Sequence, residues 1–222
     1  MRFLLQGDRG LTIEFADYID TGVFAKVQRL HDWLHQHPIA GLCEMVPTYR
    51  SLLLVYDPIL VSPDQLQEHV MQIDHEAEAT LKTGQVVAIP VCYGGEYGPD
   101  LAELATIVKM TQEEVISEHS SQDYLVYMLG FTPGFPYLGG LSERIACPRL
   151  SSPRTQVPAG SVGIAERQTG IYPMQSPGGW RLIGRTPLRI FDPHRESPFL
   201  IKAGDSLRFY PVSEAEYMAL SR

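Results

Sequence analysis

Glycine and proline constrain this chain more than any other feature. From Tyr124 onward they recur so often that no stretch keeps a helical period for more than a turn. Proline removes a donor and clashes inside a helix, and glycine carries the largest conformational entropy cost there. Short β runs alternate with the Gly/Pro turns instead, at 124–130, 161–165, 179–184, 188–191, 199–202 and 206–210. Many short strands with such punctuation predict a closed or nearly closed β-barrel. A strand from Val86 to Tyr93, a turn at Gly94-Gly95 and two short helices precede it. The second helix opens with Thr111 and Glu114, the spacing of a capping box, and runs to about His119-Ser120-Ser121.

The first 84 residues read differently. Residues 2–6 are apolar, 7–10 form a turn, and Leu11, Ile13 and Phe15 alternate with polar neighbours as in a half-buried strand. After Asp20, Val23, Phe24, Val27, Leu30 and Leu34 fall at helical spacing. Two strands follow at 42–47 and 51–56. Ser62 and Pro63 then start a helix whose apolar side carries Leu66, Val70, Ile73, Ala77 and Leu81. The order β-β-α-β-β-α predicts an open-faced sandwich. The chain is therefore expected to be α+β, with an N-terminal domain over 1–84, a linker at Lys82-Thr83-Gly84, and a barrel domain over 85–222.

A formal charge of −8 argues against nucleic acid as the main partner. The charge is uneven: between Leu141 and Tyr210, nine Arg and one Lys outnumber Glu143, Glu166, Asp192, Glu196 and Asp205. Arg offers a planar fork matched to carboxylate or phosphate, so this stretch suits either a small anionic ligand or a solvated face of mixed charge. Cys43, Cys92 and Cys147 lie far apart and form no CxxC pair, which argues against disulfides and zinc. Each reads as a buried apolar thiol. His31, His35 and His37 share a helix at a spacing that suggests metal, but without an acidic third ligand they read as a solvated face, and no metal site is expected. The N-terminal apolar run meets Gly7-Asp8-Arg9 too soon for a signal peptide, and no run approaches the ~20 residues of a membrane span, so a cytoplasmic setting is expected.

Four segments have Gly and Pro too dense for ordinary strands: 129–141 (LGFTPGFPYLGGL), 157–164 (VPAGSVGI), 168–180 (QTGIYPMQSPGGW) and 182–187 (LIGRTP). They either turn barrel corners or bring backbone close to a ligand between aromatic walls. Together with Tyr93-Gly94-Gly95, Gly98-Pro99-Asp100-Leu101, His119-Ser120-Ser121, Phe191-Asp192-Pro193 and Gly204-Asp205, they resemble the family of bacterial 5-oxoprolinase B subunits. That family is also called allophanate hydrolase subunit 1 and includes a sporulation kinase inhibitor. The likeness covers nearly all of 86–211 and is weaker at Leu5-Gln6-Gly7-Asp8. Glu166 departs from it, standing at an expected hairpin tip where a small residue belongs.

The resemblance implies a cyclophilin-like barrel and a protein that works with the C and A subunits of 5-oxoprolinase. Such complexes open 5-oxo-L-proline to L-glutamate at the expense of ATP. The same family also implies an alternative, a regulatory protein that binds and inhibits a sensor histidine kinase. A prolyl isomerase is the weakest reading, since fold analogy does not carry function. No Gly-x-x-x-x-Gly-Lys-Ser/Thr loop exists, so any ATP site here uses another scaffold or a junction between chains. His119 reads as a general base or as a helix C-terminal cap. Arg154 is a candidate anion clamp, with Arg149 and Arg185 as second choices. Gln168, Thr169 and Tyr172 could bind a lactam, with Phe135, Tyr137 and Trp180 as pocket walls or core.

Overall fold

A computed structural model describes residues 1–73 and 84–221, in two compact units, Met1–Lys82 and Thr83–Arg222. In the first, β1 (Arg2–Gln6), β2 (Gly10–Glu14), β3 (Leu42–Pro47) and β4 (Ser51–Tyr56) form an antiparallel sheet in the order β1-β2-β4-β3. Helices α1 (Thr21–Gln36) and α2 (Pro63–Val70) pack on it. The period-two pattern of the strands puts Leu11, Ile13, Leu52, Leu54 and Tyr56 in one core with Val27, Leu30, Leu34, Leu66 and Val70 of the helices. The Asp20 side chain accepts from the Gly22 and Val23 backbone N–H groups and starts α1. Ser62 and Gln65 form a capping box that starts α2.

Helix α2 stops at Val70, earlier than the sequence predicts, although Ile73 still reaches the core. The expected core positions Ala77 and Leu81 and the expected linker residues Lys82 and Thr83 lie outside the described residues. Cys43, expected to be buried, is exposed on the edge strand β3, whereas Cys92 and Cys147 are buried. No described helix is long and apolar enough to cross a membrane.

The second unit is a closed seven-stranded barrel. Its strands are β5 (Val86–Tyr93), β6 (Asp123–Leu129), β7 (Pro136–Gly139), β9 (Ser161–Ala165), β10 (Gln168–Ile171), β12 (Arg181–Arg185) and β13 (Ser206–Pro211). They close in the order β10-β7-β6-β13-β5-β12-β9, with β10 back on β9. Among the described residues only the β5–β13 pair is parallel. Strands β8 (Arg154–Val157) and β11 (Ser176–Gly178) form a separate two-stranded ribbon. Helices α3 (Leu101–Val108) and α4 (Gln112–Ser120) follow β5, and the expected Thr111–Glu114 capping box opens α4. Ile89, Val91, Tyr124, Val126, Leu138, Val162, Ile164, Ile183, Leu207 and Phe209 fill the interior.

The α+β class and the barrel follow the sequence pattern, but four strands do not. β7, β10 and β11 come from the Gly/Pro-dense segments, where missing side chains hide the period-two signal, and β8 is a four-residue strand with one apolar side chain, Val157. Conversely, the strands expected at 188–191 and 199–202 are absent, and only Phe191 and Phe199 form an isolated bridge there. Pro187, Pro193 and Pro198 crowd that stretch and cannot donate to a ladder. The C-terminal helix α5 (Glu214–Leu220), with its Ser213–Glu216 capping box, has no counterpart among the expected elements.

Gly98 shows how close the backbone comes. A Cβ there would collide with the Ile183 carbonyl oxygen, at the point where Asp100 N–H donates to Leu182 O (2.9 Å). Replacing Gly98 by Ala should therefore destabilise the second unit by about 1–3 kcal/mol, as overpacking does elsewhere. Urea unfolding checks this, and the Gly179→Ala protein, whose added Cβ makes only ordinary contacts at 3.6 Å and beyond, controls for the loss of a glycine without a clash.

Candidate functional site

A cleft of about 350 Å³ opens where the ribbon meets the barrel. Phe131, Phe135, Tyr137, Tyr172 and Trp180 supply its aromatic walls, and Arg149, Pro153 and Pro177–Gly179 complete them. Phe135 is the hub. Its ring meets Tyr137, Tyr172, Trp180 and Phe131 at centroid separations of 5.1, 5.2, 5.4 and 5.7 Å, the last three edge to face. Such contacts hold rings rigidly because edge and face carry opposite partial charge.

The Gly-rich sequence lets these rings approach. Gly178 leaves room for the Tyr172 hydroxyl, which a Cβ there would hit. The Thr132 N–H donates to Gly130 O at 2.8 Å across Phe131, whose φ is 65°. That is a γ-turn of the strained hand, and it leaves the Phe131 ring 64% exposed at the cleft mouth.

The Arg149 guanidinium lies 6.0 Å from the centre of the Trp180 ring, a cation–π contact. Burial raises the Tyr172 phenol above its usual range, opposed by a hydrogen bond with the Trp180 backbone and by the charges of Arg149 and Arg154. Burial likewise raises Tyr137, again opposed by Arg149. Both phenols are therefore neutral hydrogen-bonding groups near neutral pH, beside a positive charge.

Arg154 sits behind the ribbon wall. Its Nη2 donates to Asp100 Oδ1 at 2.6 Å, and its Nη1 is buried without a protein partner. The other Asp100 oxygen accepts the Leu182 N–H at 2.7 Å. Asp100 occupies the N-cap position of α3 yet makes no side-chain cap bond there, because both oxygens are engaged elsewhere.

His119 and Thr169 lie inside the barrel, both with no exposed surface. Tyr93 Oη is 2.8 Å from His119 Nδ1, and His119 Nε2 is 2.9 Å from Thr169 Oγ1. Thr169 Oγ1 also donates to Gly163 O at 3.1 Å. Since its single proton goes to Gly163, it must accept from His119 Nε2–H, so Nδ1 accepts from the Tyr93 hydroxyl. The chain of bonds fixes one neutral tautomer. With the Phe209 ring 4.6 Å away, burial holds the imidazole down at about 3. The sequence offered a general base or a helix cap, but this is a saturated interior bridge that never reaches the cleft. The cap role falls to Tyr124, whose hydroxyl donates to His119 O at 2.8 Å.

Tyr137, Tyr172 and Trp180 are thus brought together in the cleft. Arg154 stands one layer behind them, and Arg185 lies elsewhere, over the Tyr97 ring at 5.6 Å. Gln168 belongs to the β9–β10 hairpin and does not line the cleft. Glu166 occupies the hairpin tip with φ 52°. Among the described residues no group of three His, Cys, Asp or Glu could hold a metal. Phe131 was missed as a site residue and Arg149 ranked low, since both lie in loops outside the strands, where neither spacing nor composition shows which ring a side chain meets.

Residues 1–201 match the family described as carboxyltransferase domain, subdomain C and D. The chain belongs to that family. Within it, the chain is 44% identical over 227 residues to the 5-oxoprolinase B subunit of Bacillus subtilis (strain 168), spanning 96% of this chain and 93% of the relative. The crystal structure of TTHA0988 superposes with a TM-score of 0.82 at 38% identity, over 92% of this chain but only 40% of that one. The K. lactis urea amidolyase shares the fold, with a TM-score of 0.79 at 23% identity, over 98% of this chain and 15% of that one. This family member therefore has counterparts embedded in longer chains.

The interior histidine makes a pH prediction. His119 is neutral in the fold down to about 3, whereas an unfolded chain binds its proton near 6.5. Stability from this group is intact above pH 6.5 and falls as pH drops from 6.5 toward 3, by up to about 1.4 kcal/mol per unit. Urea unfolding between about pH 7.5 and 4.5, a window spanning the unfolded value, should show one proton more of pH dependence in the native protein than in His119→Gln.

Proposed function

We propose that this chain is the B subunit of an ATP-dependent 5-oxoprolinase, opening 5-oxo-L-proline to L-glutamate with formation of ADP and phosphate. The observation that carries the reading is an aromatic cleft with a single guanidinium, in a chain 44% identical to a 5-oxoprolinase B subunit along 93% of that relative. The substrate is a small flat ring bearing one carboxylate. In this reading the carboxylate pairs with Arg149, the ring lies against Trp180 and Phe135, and the Tyr172 hydroxyl meets the lactam amide.

A lactam resists water because its carbonyl carbon is a poor electrophile. Transfer of the ATP γ-phosphoryl to the lactam oxygen, with release of ADP, makes that oxygen a leaving group. Water then adds to the carbon and the ring C–N bond breaks, the nitrogen leaving as the amine and the carbon remaining as an acyl phosphate. A second water hydrolyses that acyl phosphate to the carboxylate and phosphate. What this chain contributes is orientation and exclusion of water from the ring. Two anions must lie close together, which requires fixed cationic donors. ATP is assigned to a junction with the C subunit, the direct partner in this reading, while the A subunit makes up the rest of the complex. The embedding of this unit in longer relatives, which carry further sequence on the same chain, supports the need for such partners. A cytoplasmic setting goes with the use of ATP as co-substrate.

The exposed Phe131 and Phe199, which line a second, shallow groove, favour a second reading in which the barrel docks on a sensor histidine kinase. Autophosphorylation measured at stoichiometric protein separates the two, and the first reading expects no inhibition.

The purified chain with the C and A subunits, 5-oxoproline and ATP should release glutamate. Arg149→Ala should raise KM for 5-oxoproline about tenfold to a hundredfold, the worth of one charge-assisted hydrogen bond. Arg149→Lys should recover part of that loss. No glutamate from the complete complex would refute the assignment.

A further inference from the structure

On α1 of the first unit, His31 and His35 stand one helical turn apart with their Nε2 atoms 3.2 Å from each other. Their rings are nearly perpendicular, with centroids 4.4 Å apart. Two imidazole nitrogens bound to one transition ion at about 2.05 Å, and separated as these are, subtend an angle of about 100° at the metal. That value lies between the cis angle of a square plane and the angle of a tetrahedron. The separation therefore fits a chelate without moving the helix.

A second feature supports the pair. Asp32 Oδ1 lies 3.6 Å from His31 Nδ1, on the side of the ring away from His35. A carboxylate facing the non-ligating nitrogen is the usual second partner of a metal-bound histidine, because it fixes the tautomer and makes the ligating nitrogen more basic. With the His31 proton held on Nδ1, its Nε2 is a bare acceptor for the His35 Nε2–H. On binding a metal, the His35 proton moves to its own Nδ1 and both Nε2 lone pairs face the ion. The sequence shows no acidic third ligand for these histidines, and the structure gives Asp32 a different place, behind His31.

We propose that His31 and His35 form a surface chelate for a divalent transition ion, Cu(II), Ni(II) or Zn(II), with solvent filling its other positions. The expectation of two protein ligands follows from the described residues, among which no group of three potential ligands exists. Imidazole nitrogen selects these borderline ions over Mg(II) and Ca(II), which demand oxygen. The site is on a different unit from the aromatic cleft and does not depend on the reading of that cleft.

Calorimetric titration of the full chain with Ni(II), Zn(II) and Mg(II) tests it. One Ni(II) or Zn(II) should bind per chain, with no heat from Mg(II). Either His31→Asn or His35→Asn alone should weaken binding at least tenfold, because each removes the chelate. Asp32→Asn should weaken it by a smaller factor, toward the lower end of the roughly 10–100-fold range seen for second partners. Circular dichroism of each variant checks that α1 is intact. Equal binding by native protein and both histidine variants would overturn the proposal, as would loss in only one of them or comparable binding of Mg(II).

Discussion

The buried carboxylate of Asp100 is the point on which the second unit depends. It stands at the start of α3, where an aspartate ordinarily caps the first helical N–H groups. Here one oxygen holds the Leu182 N–H of barrel strand β12, and the other holds Arg154 of the outlying ribbon. A buried side chain, 7% exposed, thus ties helix, barrel and ribbon together. The ribbon has only two strands, too few to be stable alone in water, so its position relies on such ties. The cleft exists because that ribbon is held against the barrel, where its Val157 packs with Phe135, Ala165, Tyr172, Trp180 and Leu182.

Two sets of polar groups divide the work. The Tyr93–His119–Thr169–Gly163 bridge is closed on itself, with every donor assigned an acceptor, and it keeps a polar residue neutral inside an apolar barrel. The cleft instead presents Arg149 and the phenols of Tyr137 and Tyr172 beside aromatic rings, a surface suited to a flat, singly negative ligand. The strained turn at Phe131 is compatible with this division, since positive φ at a bulky residue persists only where its surroundings enforce it.

Much of the fold was legible because it rests on periodicity and capping. Leu11 and Ile13, the Leu52–Tyr56 alternation, Ser62-Pro63 and Thr111–Glu114 each carry a local signal, and each element formed where that signal placed it. Strands β7, β10 and β11 were not legible, because Gly139, Gly170 and Gly178 replace side chains that would mark a face, the last two where Trp180, Phe135 and Tyr172 approach. Nor was β8, because its four residues carry one apolar side chain, Val157. The aromatic members of the site, Tyr137, Tyr172 and Trp180, could be picked from their density among glycines. The positions of His119 and Arg185 could not, since one is turned into the barrel by α4 and the other lies over Tyr97, facts set by tertiary packing alone. Arg149 and Arg154 carry the same charge in the same stretch, and only the Asp100 contact separates their roles.

Native-state hydrogen exchange on Asp100→Asn protein tests the central claim most directly. The account predicts that amides of the β8–β11 ribbon and of Leu182 lose protection at least tenfold, while those of the β5–β13 pair keep theirs. Unchanged protection in the ribbon, or a uniform loss across the whole barrel, would contradict it.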